Sequence, residues 1–141
     1  MYQRDFILRM VEMLAELIAG ILGYIKKGEF QQAEESIERI YYDFLKKDAS
    51  FFRRIDKDKL STSLLNEHNY TNGHLEILAE LFYAEGELNF AKGNKSKSLD
   101  YFEKSLILHT YSDGQSKSFS FEKQEKITTI QKRIQELESE I

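Results

Sequence analysis

The chain has 141 residues, enough for one domain with a true core and too few for two comfortable ones. Its 41% hydrophobic and 31% charged residues exclude a disordered or membrane-embedded class, and a net charge of -4 argues against nucleic acid as a partner. Cysteine and proline are both absent; the first excludes disulfides, Cys-ligated zinc, iron–sulfur clusters and thiol catalysis, and the second favours long unbroken helices. A first helix is predicted over Gln3–Lys27. Ile7, Val11, Leu14, Ile18, Ile21 and Ile25 recur at spacings of four and three, which puts them on one helical face. Leu8, Met10, Leu17 and Leu22 widen that face beyond a surface-helix stripe, so this helix is expected to be covered on more than one side. The stretch reads as no secretory signal, because Asp5, Arg9, Glu12 and Glu16 interrupt it and no small-residue cleavage site follows. Its longest apolar run, Leu17 to Ile25, is well short of the ~20 residues that span a bilayer. The cytoplasm is therefore the expected compartment, with no membrane partner.

Lys26-Lys-Gly-Glu29 reads as a helix stop and restart. Gly28 can take the left-handed conformation that ends a helix, and the two lysines complement its C-terminal dipole. A second helix follows over Phe30–Lys46, with Phe30, Ala33, Ile37, Ile40, Tyr41 and Phe44 inward. The segment 48–70 is irregular. Asp48 and Asp56 are placed to cap two short helices, one with Phe51 and Phe52, the other with Leu60, Leu64 and Leu65. The cations from Lys46 to Lys59 alternate with aspartates and read as a solvated surface. Asn66 to Gly73 is the clearest loop.

A helix over 73–92 carries Leu75, Leu78, Ala79, Leu81, Phe82 and Leu88, with Thr71 or Asn72 as its cap. Gly93-Asn94 ends it. The next helix, to Tyr111, has Leu99, Phe102, Leu106 and His109 along one side, His109 being expected at the helix C-terminus. A polar loop is predicted over 111–118. The last helix, 119–140, carries Ile127, Ile130, Ile134, Leu137 and Ile141 at a/d spacing.

No constellation for chemistry emerges. His68 and His74 bracket a loop without a third ligand in suitable spacing, and a hydrophilic loop is the simpler reading. Glu80, Glu85 and Glu87 share one helix with no evident partner acid, and no phosphate-binding glycine loop or nucleophile elbow is present. No catalytic residue, metal ligand or cofactor is expected, and the chain does not read as an enzyme.

Two segments are self-similar. Tyr24-Ile-Lys-Lys-Gly-Glu-Phe-Gln-Gln-Ala33 and Asn89-Phe-Ala-Lys-Gly-Asn-Lys-Ser-Lys-Ser98 each stop a helix at Lys-Gly and restart it. A small residue follows five positions after each glycine and a large one four later, Ile37 and Phe102. This is the pattern of a helical hairpin. It resembles the tetratricopeptide repeat (TPR). In the second copy Phe82, Gly86, Gly93, Ser98, Phe102 and Ser105 fall where the family has its aromatic, glycine, glycine, alanine, aromatic and alanine, with Thr110 in place of the terminal proline. In the first copy Tyr24, Gly28, Ala33 and Ile37 match, while Ile21 replaces a small residue. The two turn glycines are 65 residues apart, against 68 for two 34-residue repeats, so 48–70 reads as a degenerate repeat or two short helices. The order of elements is also similar to small bacterial TPR-like proteins of unknown function, which implies no activity.

The resemblance implies one all-α domain of antiparallel hairpins stacked as a short superhelix of five to seven helices: hairpin 3–46, irregular segment 48–70, hairpin 73–111 and C-terminal helix 119–140. It also implies a concave groove lined by Ile18, Leu22 and Ile25 in the first copy and Tyr83, Glu87 and Phe90 in the second. The charged residues with which the family grips carboxylates are absent there. The alternative is that these six are core, covered by the middle segment or the last helix. The leading functional expectation is an interaction module or scaffold for a protein or peptide partner. Self-association as a homodimer is its most concrete form, through the first helix or through the seam Ile127, Ile130, Ile134 and Leu137. A small-ligand or peptide sensor with an aromatic-lined groove is the alternative.

Overall fold

The computed structural model describes residues 2–115 and 121–140, and is all-helical. The helices are α1 (Tyr2–Lys26), α2 (Phe30–Leu45), α3 (Ala49–Arg53), α4 (Leu60–Thr62), α5 (Asn72–Ala91), α6 (Lys95–Gln115) and α7 (Phe121–Glu140). A 3₁₀ turn, Lys57–Lys59, leads into α4, and a π-type turn, Ser63–Glu67, leads out of it. Ile7, Leu8, Val11 and Ile141 from the expected apolar faces lie outside the described side chains, and residues 116–120 of the expected loop and last helix lie outside the described residues.

Both Lys-Gly stops close in the same way. Gly28 and Gly93 have φ of 78° and 82°, the left-handed region in which a Cβ is penalised. The Glu29 N–H donates to the Tyr24 carbonyl at 2.8 Å and the Gly28 N–H to Ile25 at 3.0 Å; Asn94 to Asn89 and Gly93 to Phe90 repeat the pair at 2.9 and 3.1 Å. Such paired bonds satisfy the last carbonyls of a helix and turn the chain back sharply. The products are two antiparallel hairpins, α1–α2 and α5–α6.

α5 is the central helix. It packs against α1, α2 and α6, and is buried nearly all round from Leu75 to Leu88. α7 lies along α6 at the far side of the stack. One core cluster joins α1, α2, α3, α4 and α5 around Leu14, Ile21, Ile37, Tyr41, Phe52 and Phe82. A second holds Tyr83, Phe102, Ile130 and Leu137 between α5, α6 and α7.

Close approach within the second hairpin depends on Gly86. A Cβ there would come within 2.7 Å of the Phe102 ring. Two buried hydroxyls fasten the same interface: Ser98 donates to the Gly86 carbonyl at 2.8 Å and Ser105 to Ala79 at 2.7 Å. Neither serine is left with an unpaired buried group, which would cost about 1–3 kcal/mol.

Several local expectations need correction. Asp48 and Asp56 occupy N-cap positions, but neither side chain makes a cap bond. Thr71 does cap α5: its hydroxyl accepts the His74 N–H, and the His74 ring accepts the Thr71 N–H in return. α6 runs on to Gln115, through the first five residues of the expected polar loop, so His109 lies within the helix rather than at its end. Lys46, left-handed at φ 61°, ends α2 one residue early.

Candidate functional site

The six expected groove residues separate into two environments. Ile18 is fully buried in the first core cluster and Ile25 is half-buried against it, while Leu22 packs against both clusters and so reaches the side of Tyr83. Tyr83, Glu87 and Phe90 face α7. The Arg133 guanidinium binds both Glu87 oxygens, at 2.9 and 3.2 Å, and stacks 4.3 Å from the Phe90 ring. The Lys126 ammonium lies 4.0 Å above the Tyr83 ring. Two further pairs extend the ladder: Glu80 with Lys126 at 3.6 Å and Glu76 with Lys123 at 3.7 Å. The second half of the expected groove is thus occupied by the chain's own last helix. Acids spaced along one face of α5 meet cations spaced along one face of α7.

This ladder shifts ionisation. Burial and the Glu87 charge push the Tyr83 hydroxyl up to about 12. Burial alone would raise the Glu80 carboxyl, but His109 and Lys126 outweigh it and hold the group below its ordinary value. His109 Nε2 stands 3.2 Å from Glu80 Oε1, close enough for an ion pair but without hydrogen-bond alignment.

The expected self-association seam is also used internally. Ile130 and Leu137 are fully buried with Tyr83 and Phe102, Ile134 is half-buried against them, and Ile127 is buried. The a/d spacing of α7 therefore matches α6 and α5 of the same chain. Beyond Phe121 in its first turn, which is 77% exposed, what α7 turns outward is polar: Gln131, Lys132, Gln135, Glu138 and Ser139.

A buried polar cluster that sequence reasoning missed lies on the opposite side of α5. Glu85 is 4% exposed and accepts from the Tyr41 hydroxyl at 2.5 Å and from Arg53 Nε at 3.2 Å; a second Arg53 nitrogen reaches its other oxygen. The same guanidinium binds Glu38 at 2.8 Å, and the buried Lys104 ammonium donates to the Arg53 carbonyl at 3.0 Å. Burial pushes the Glu85 carboxyl above its usual range against the pull of Arg53. Burial works to lower Arg53, but Glu85 and Glu38 carry it upward. The residues come from four helices, and the bonded pairs are 15 to 51 positions apart, so no spacing rule could have found them. A shallow cleft of about 290 Å³ adjoins, lined by Arg53, Ser96, Lys97, Asp100, Tyr101 and Lys104. Arg53 and Lys104 are already neutralised, by Glu85 and Glu38 and by Asp100, so the cluster reads as a brace between α2, α3, α5 and α6.

The histidines flagged in the sequence are structural. His74 completes the α5 cap, and His68 stands edge-on to Phe51 with ring centroids 4.9 Å apart. Among the described residues no group of three or more His, Asp or Glu side chains is placed to hold a metal ion. None of the helices in the described residues is long and apolar enough to cross a membrane.

The remaining feature is at the α1 end. Met13, Leu17 and Tyr24 are 58%, 40% and 37% exposed, and with Gly20 they form one stripe at spacings of four, three and four. The expectation that α1 would be covered on more than one side is only partly met. The 65-residue offset between the turn glycines aligns this stripe with Leu78, Phe82, Glu85 and Asn89 of α5. There Leu78 and Phe82 are core, and Glu85 bonds Tyr41 of α2. The face that α5 buries against the preceding hairpin is the face that α1 leaves open. No family model, curated protein or solved structure matches the chain.

Proposed function

We propose that the chain is a non-enzymatic interaction module, a short TPR-like stack of helical hairpins that docks a protein partner on the open face of α1. The observation that carries this reading is the asymmetry of the two ends. Phe121 of α7 and Tyr42 of α2 are exposed singly and the rest of the outer face of α7 carries amides and charges, whereas α1 groups Met13, Leu17 and Tyr24 on one face whose counterpart in α5 is largely buried. Large exposed apolar side chains grouped along one helix mark contact surfaces more often than chance. The inner face offers less, since α7 fills its second half, and in the Arg53 cleft Arg53, Asp100 and Lys104 are already paired, leaving only the exposed Lys97.

The test is photo-crosslinking in the native cell with a photoreactive residue in place of Leu17. The expected result is an adduct containing a second polypeptide, with none from the same residue in place of Glu138 on the capped end. No adduct at position 17, or equal adducts at both, would overturn the reading.

A further inference from the structure

We infer that the occupant of this face is a second copy of the chain, its α1 crossing the first antiparallel at Gly20. The inference rests on the proposed docking role of α1 and names its partner. Three features of the helix support it. A Cβ at Gly20 or Gly23 would meet nothing within 4 Å, so both glycines leave the backbone open to close approach by another helix. Leu17 and Tyr24 flank Gly20 on either side, placed to pack across a two-fold axis as each other's counterparts.

The third feature is charge. Glu12 and Glu16 lie toward one end of the exposed surface and Lys26 and Lys27 toward the other, all four exposed and, among the described residues, without an ion-pair partner. By the helical turn Glu12, Glu16 and Lys27 fall on the same flank of the apolar stripe, with the exposed Arg9 one turn before the two acids and Lys26 turned further round the helix. An antiparallel crossing brings the acidic end of one copy beside the basic end of the other, twice over by symmetry. A parallel pairing about a two-fold along the helices would put the two charged flanks on opposite sides of the seam, where they could not pair. The arrangement is self-complementary, which an isologous dimer requires and an unrelated partner does not.

Molar mass by light scattering across a hundredfold concentration range tests this, with helicity by circular dichroism as the folding control. The wild-type chain is expected to reach the mass of two chains. Gly20→Leu and Leu17→Glu should each return it to one. Glu12→Lys with Glu16→Lys should weaken association about tenfold, and adding Lys26→Glu with Lys27→Glu should restore it, because the reversed pattern is again complementary. A wild-type mass of one chain throughout, or a dimer indifferent to Gly20→Leu, would overturn the inference. A single-chain mass with a crosslink from position 17 to a different protein would remove self-docking and leave the module reading intact; no crosslink at all would remove both.

Discussion

Gly86 and Gly20 both interrupt helices with a glycine, for opposite reasons. At Gly86 the missing Cβ makes room for Phe102, so Gly86→Ala should destabilise the fold by about 1–3 kcal/mol through overpacking. At Gly20 there is open space, and in dilute solution Gly20→Ala should gain roughly 0.5–1 kcal/mol of helix propensity. Urea unfolding of the two variants checks both signs at once, and matching signs would show that one environment is misread. The sequence marked Gly86 through its register with the TPR pattern and Gly28 and Gly93 through their Lys-Gly context, because turns and close contacts are local demands. It named Glu85 only as one of three acids on a helix and took the run that holds Arg53 as solvated surface, without their pairing. A carboxylate inside an apolar helix and an arginine within an alternating basic run both resemble surface residues until the fold brings them together.

At the scale of elements, α7 shows how a pattern can be read correctly and assigned to the wrong partner. The a/d spacing of Ile127, Ile130, Ile134 and Leu137 was legible, but periodicity specifies that a face is buried, not against what. The charges settle it here. Arg133 and Glu87 form a bidentate pair beneath which Phe90 stacks, and Arg133→Glu should cost about 2 kcal/mol in urea unfolding. Exchanging the two, Glu87→Arg with Arg133→Glu, should recover part of that loss, while strictly additive costs would mean the pair is not coupled. The same interface predicts a pH dependence. Glu80 has a carboxyl held below its ordinary value by His109 and Lys126 against its own burial. A depressed folded-state value stabilises the fold above the unfolded carboxyl range near pH 4.3 and loses that contribution as pH falls through the folded value. Glu80→Gln should therefore be less stable than wild type at pH 7 and converge on it in strong acid; a constant difference across that range would place the stabilisation elsewhere. The lengths of α2 and α6 were legible only within a few residues. Ser112, Asp113 and Gly114 look like a turn, yet the helix continues through them.

For the molecule as a whole, the all-helical class, the two hairpins and their antiparallel turns were readable, because proline-free amphipathic segments and left-handed glycines act locally. Which surfaces remain free was not readable, since that depends on how hairpins stack. α1 carries more apolar surface than its own chain covers, and the surplus sits where α5 meets a neighbour. An open docking face requires that stripe to be free of the chain's own core. The most direct test is the urea unfolding free energy of Leu17→Glu beside that of Phe82→Glu, its counterpart 65 positions on, at a concentration where the mass is that of one chain. A change within about 0.5 kcal/mol is expected for Leu17→Glu, and more than about 4 kcal/mol, or failure to fold, for Phe82→Glu. Comparable losses at both positions would show that α1 is buried by its own chain and would contradict an open docking face.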